Sequence, residues 1–182
     1  MNVLDTIFIL LTAFLAVFWE AVFQAPRHFM GAQIDLLPAL MVYASLSSGL
    51  STVVLLSVCG GLWFDSLSAN PLGVSVLPLL LLGTAIYSQR DLILREQTFA
   101  RMVIGFGISF AVPVLTILLL LSSSHKPLLG WGTFWQLLVM SWGGALMTPV
   151  FFELFGWLHR MFGHVGPQEL SFRPDREIRR GR

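Results

Sequence analysis

The sequence predicts an all-α integral membrane protein, a six-helix transmembrane bundle, on three observations. Hydrophobic residues make up 55% of the 182-residue chain and charged residues only 12%. A soluble domain of that composition has too little polar surface to cover itself, whereas lipid accepts apolar side chains on the outside. The apolar residues gather into runs at 3–24, 34–47, 50–64, 72–87, 102–121 and 132–158. The basic residues are one-sided: when alternate connections are assigned to one face, nine of the eleven Lys and Arg collect there, leaving only Arg27 and Lys126 opposite. Such an excess marks the cytoplasmic side. Arg90, Arg95, Arg101 and Arg160 then lie inside with the tail arginines, both termini are cytoplasmic, and the connections 25–33, 65–71 and 122–131 lie outside.

Each run supports the assignment in its own way. The first has no basic n-region, carries Asp5 instead, and exceeds the roughly 7–15 apolar residues of a signal peptide, so it reads as a retained helix. At 1.5 Å per residue it reaches about 33 Å and the run 102–121 about 30 Å, each enough to cross the hydrocarbon core. Runs 34–47 and 50–64 reach only about 21 and 22 Å, joined by the tight turn Ser47-Ser48-Gly49. They form either two short spans or a re-entrant hairpin that other helices wrap. The run 72–87 follows Pro71. The last is longest, about 39 Å, and Pro149 within it predicts a kink near Met147. Residues 1–160 form the transmembrane domain and 161–182 a basic cytoplasmic tail. Small residues recur at helix-contact spacing at Ser45 and Gly49, Ser57 and Gly61, and Ser141 and Ala145, where helices in lipid approach closely. The single cysteine, Cys59, excludes a disulfide within the chain.

Acidic residues are the candidates for function. A carboxylate at the bilayer centre costs about 2.5–3.5 kcal/mol on insertion scales, so each needs a location or a partner. Glu20 falls in the outer half of the first helix, Asp35 at the outer start of the second and Asp65 at the outer end of the third. The three converge on one face, either wetted at the interface or forming a polar site, and Arg27 in the first outer loop is placed to offset their charge. Glu153 reads as structural, through snorkelling or a pair with Arg160. No phosphate loop, no G-x-S-x-G and no His or Cys pair at metal spacing occurs, so the sequence offers no catalytic residue, cofactor or metal ligand. His159 and His164 read as part of the tail. The six arginines after Leu158 suit anionic lipid headgroups at about 1 kcal/mol each, with no aromatic platform for nucleic acid.

The most distinctive string is Gly61-Leu62-Trp63-Phe64-Asp65-Ser66-Leu67-Ser68-Ala69-Asn70-Pro71-Leu72-Gly73. Asp65 and the serines can take up loose backbone groups, and Asn70-Pro71 with Gly73 sets a turn. Together with Gln33-Ile34-Asp35-Leu36-Leu37-Pro38-Ala39-Leu40 before it and Gln89-Arg90-Asp91-Leu92-Ile93-Leu94-Arg95 after it, the string resembles the rod shape-determining protein MreD. The resemblance is most specific between Gln33 and Arg101. It implies a multi-pass protein of the bacterial cytoplasmic membrane, not an enzyme, working in the elongation complex that maintains rod shape. The implied partners are MreC, MreB, and RodA with its penicillin-binding transpeptidase. The implied fold is similar to the substrate-binding subunits of energy-coupling-factor transporters, and Asp65, Asn70, Pro71 and Gly73 carry the motif. The alternative is a solute-capture subunit, with Glu20, Asp35 and Asp65 lining an outward cup for a vitamin-like molecule.

Overall fold

A helix without a polar face has nowhere to go but the middle of a bundle, and the run after Asp35 is such a helix. The computed structural model describes residues 3–23, 31–68, 71–90, 98–122 and 130–162. Among them are α1 (Val3–Val22), α2 (Leu37–Ser47), α3 (Leu50–Leu67), α4 (Val76–Gln89), α5 (Thr98–Ser122) and α6 (Trp131–Phe162), and no strand. Every residue of α2 from Leu37 to Leu46 is buried, and the helix touches all five others. Its side chains seed the core with Ile9, Val17, Val53, Leu56, Leu79 and Phe155.

The outer helices α1, α3, α5 and α6 are each long and apolar enough to cross a membrane. Their exposed faces are apolar too: α1 presents Leu4, Ile7, Leu11, Phe14 and Phe18 in a stripe at helical spacing, the arrangement expected of side chains meeting lipid rather than water. Of the pair expected to be wrapped, only α2 is enclosed; α3 exposes Leu50, Val54, Leu55, Val58 and Leu62. With 11 residues α2 rises only about 17 Å, and α4 with 14 about 21 Å. The run 72–87 turns helical only at Val76 because its first backbone groups are diverted to Asp65. At the other extreme α6 continues through Pro149 to Phe162, so His159 belongs to a helix and not to the tail.

Small residues set the tightest crossing. Ser109 on α5 lies against Gly144 on α6, where a Cβ at Gly144 would overlap the Ser109 side chain, and Gly105 lies against Thr148 in the same way. Gly61 brings α3 to the start of α4, since a Cβ there would stand 2.9 Å from Val76 Cα. The Ser57/Gly61 and Ser141/Ala145 pairs are all buried, serving contacts within the bundle.

Two polar links fix the direction of the helices. Asp5 in the first turn of α1 lies 3.1 Å from His159 in the last turn of α6, so those two helix ends share one end of the bundle. Arg90 at the end of α4 donates from Nη1 to Ser48 O after α2, and Arg101 covers the Phe152 ring at 4.3 Å. The described arginines Arg90, Arg101 and Arg160 therefore sit at this end. Glu153 is exposed, and Arg160 donates from Nε to Gly156 O. The opposite end carries Glu20, Asp35 and Asp65.

Candidate functional site

A helix begins with backbone N–H groups that have no partner inside it, and its dipole makes that end attractive to negative charge. Each of the three carboxylates uses this. Leu36 stands as the N-cap of α2 without a side chain able to cap it, and its N–H is taken by Glu20 Oε1 from the last turn of α1. The next N–H, that of Leu37, donates to Asp35 Oδ1 at 3.0 Å. Pro38 has none to satisfy. Two carboxylates from different parts of the chain thus share one helix start, and both are buried, at 8% exposure for Glu20 and 6% for Asp35. Asp35 stands ahead of α2, outside the helices, and burial pushes its carboxyl up to about 7.

Asp65 serves α4 in the same manner and more completely. From the last turn of α3 its Oδ2 accepts from Gly73 N at 2.8 Å and Ser75 N at 3.1 Å, while Oδ1 accepts from the Ser75 hydroxyl. Gly73 adopts φ +91°, a backbone that L side chains rarely take. At 2% exposure Asp65 faces inward and builds the turn, which exposes Ser66, Leu67, Pro71 and Leu72. The sequence places Asp65 in an outward-facing turn; the structure buries the carboxylate itself and exposes the residues around it. Pro71 accepts from Val74 N at 3.3 Å. Arg27 and Asn70 lie outside the described residues, as does the tail from residue 163.

Two cavities flank the acidic pair, and Phe64 lines both. One, about 240 Å³, opens between the α5–α6 hairpin and the ends of α3 and α4, with Asp35, Ser75, Thr116 and Gln136 among its polar lining and Leu37, Leu79, Val112, Ile117 and Met140 among its apolar walls. The other, about 220 Å³, lies between α1 and α3 and is lined by Glu20, Gln33 and Ser68 with Val17, Ala21 and Leu67. Glu20 Oε2 is buried without a hydrogen-bond partner. Among the described residues no group of His, Cys, Asp or Glu has the geometry to hold a metal ion.

Sequence reasoning missed Ser75, Phe64 and the α5–α6 wall. Ser75 lies ten residues beyond Asp65, and its hydroxyl is an ordinary loop feature until the turn is closed. Phe64 and Ile117 are indistinguishable in the sequence from side chains that face lipid. The chain matches no protein-family model, no curated protein and no solved structure.

Proposed function

We propose that this chain is a non-enzymatic membrane scaffold of the bacterial cell-wall elongation complex, similar to MreD, which binds MreC and links the MreB filament to RodA and its penicillin-binding transpeptidase. In this reading it lies in the cytoplasmic membrane with both termini inside, its bundle related to the substrate-binding subunits of energy-coupling-factor transporters. One observation carries it: in the segment with the most distinctive part of the resemblance, Asp65 gives both carboxylate oxygens to Gly73 and Ser75, and Leu67, Pro71 and Leu72 are left exposed. A residue so used shapes a surface for others to touch; the resemblance supplies the partners.

The MreC transmembrane helix needs a lateral seat. Most small-residue pairs are consumed inside the bundle, but an added Cβ at Gly107 on α5 would meet nothing, leaving a groove where a partner helix can approach. The expected result is a near-stoichiometric complex with MreC on purification from detergent, weakened by Gly107→Leu without loss of thermal stability. Absence of any complex at matched expression removes the reading. The alternative, a solute-capture subunit, draws on a different observation, the cavity beside Asp35.

A further inference from the structure

The 240 Å³ cavity is as deep as half a bilayer. Along α5 it runs from Leu120, in the last turn, to Val112, and along α6 from Thr133, in the first turn, to Met140. Val112 stands ten residues inside the end of α5 at Ser122, and Met140 nine residues beyond the start of α6 at Trp131. At 1.5 Å per residue both lie about 14–15 Å below the helix ends, the depth of one leaflet in a hydrocarbon core about 30 Å thick. Trp131 and Trp135, exposed in the first turns of α6, mark the level at which headgroups begin.

The interior is apolar in effect. Nine of the fourteen lining residues are apolar, and the three hydroxyls among the rest engage the protein itself: Thr116 donates to Val112 O, Ser75 donates to Asp65, and Thr133 Oγ1 accepts from Gly130 N. Asp35 gives one oxygen to the Leu37 N–H, and burial holds its carboxyl toward the neutral form, beside which hydrocarbon can lie without stranding a charge. Gln136 is exposed, so its amide can meet headgroups. The cavity opens where the backbone of α3, which contributes Phe64, approaches neither α5 nor α6. Leu118, Leu121 and Phe134, next in sequence to lining residues, are exposed as lipid-facing side chains would be.

We propose that this cavity holds one acyl chain of a phospholipid, drawn from the leaflet at the acidic end of the bundle, with the headgroup beside the first turns of α6. The chain lies against Phe64, Leu79, Ile117 and Met140 and seals the gap between α3 and the α5–α6 hairpin. Size agrees: a cavity near 150 Å³ holds the six carbons of benzene, so 240 Å³ takes roughly ten carbons of a chain. A soluble ligand would need polar groups placed to orient it, and the hydroxyls here are turned to the protein.

Photolabelling of the full-length chain in phosphatidylcholine vesicles tests this, using a phosphatidylcholine that carries a diazirine midway along one acyl chain and peptide mapping of the adducts. Leu79 and Met140, only 2% and 8% exposed, are expected to carry label alongside the outward-facing Leu118 and Leu146. Ile117→Trp, and separately Val112→Phe, fill the space and should lower labelling of Leu79 and Met140 at least tenfold while Leu118 and Leu146 label as before. Label confined to the outward faces of the wild type, or label at Leu79 and Met140 that survives both fillings, overturns the proposal. So does labelling of those two residues by a soluble diazirinyl benzyl alcohol and not by the phospholipid, which assigns the cavity to a solute. MreC is absent from every arm, so the result is independent of the scaffold reading.

Discussion

Asp65 is the residue on which the turn before α4 depends. Its replacement by Leu leaves two backbone N–H groups and the Ser75 hydroxyl without their acceptor, a loss of about 3–5 kcal/mol at the usual cost of an unmade buried hydrogen bond. Asp65→Asn keeps one acceptor oxygen and should lose about 1–2 kcal/mol, so unfolding in mixed micelles should rank the wild type, Asn and Leu in that order. Equal stability of all three would mean that the turn holds without the carboxylate. Gly73→Ala meets no atom, yet should cost about 1–2 kcal/mol because its φ of +91° is left-handed. Asp35 makes a different prediction, about pH. Its carboxyl is raised from 3.8 to about 7, so the folded chain keeps a proton that the unfolded chain releases. Stability from this group is fully present below 3.8 and is lost as pH rises through about 7. In a Glu20→Gln background, which removes the carboxyl facing it, the unfolding free energy should fall between pH 5 and pH 8 by about 2–3 kcal/mol. Adding Asp35→Asn should flatten that slope, and a slope that persists assigns the proton elsewhere.

At the scale of elements, the α5–α6 crossing is the contact most sensitive to a single methyl group. Gly144→Ala drives a Cβ into Ser109, whose hydroxyl is itself buried without a partner, and overpacking of this kind costs about 1–3 kcal/mol. Moving the side chain across the interface, as Ser109→Gly with Gly144→Ser, should recover most of the loss; a double variant no better than Gly144→Ala would show that the helices do not pack through this pair. The crossing was partly legible in the sequence, because Ser141 and Ala145 on α6 stand at contact spacing. Its partner Ser109 was not, since one serine in a run of apolar residues signals nothing about which helix it meets. The same limit applies to α2. Its apolar residues are spread over every side, so no face could be read, and central burial follows only from how the other five helices close around it. The start of α4 was misplaced by four residues for an opposite reason: Leu72 and Val74 are apolar, but their neighbours' backbone groups are captured by Asp65 before a helix can begin. The convergence of Glu20, Asp35 and Asp65 was legible because run lengths alone place them at one end. Their service to helix starts was not, because Glu20 meets Leu36 sixteen residues away.

For the molecule as a whole, the arrangement of charge and the lengths of the helices bear on one question, which way the bundle sits. Arg90, Arg101 and Arg160 share an end with the start of α1 and the end of α6, and the buried carboxylates share the other. If lysine and arginine excess governs insertion, the first end faces the cytoplasm and the turn built by Asp65 faces outward. The short α4 makes the test informative, because its rise of about 21 Å falls below the roughly 30 Å of a hydrocarbon core. It crosses only with the help of the turn before it, or it does not cross at all. In a Cys59→Ala background, Leu72→Cys, which is 70% exposed, should react with a membrane-impermeant maleimide in intact cells. Gln89→Cys, exposed at the other end of α4, should react only after permeabilisation. Labelling of Gln89→Cys alone in intact cells inverts the bundle and removes the outward turn from the scaffold reading. Labelling of both shows that α4 returns to the side it came from, and the bundle then spans through its four long helices alone.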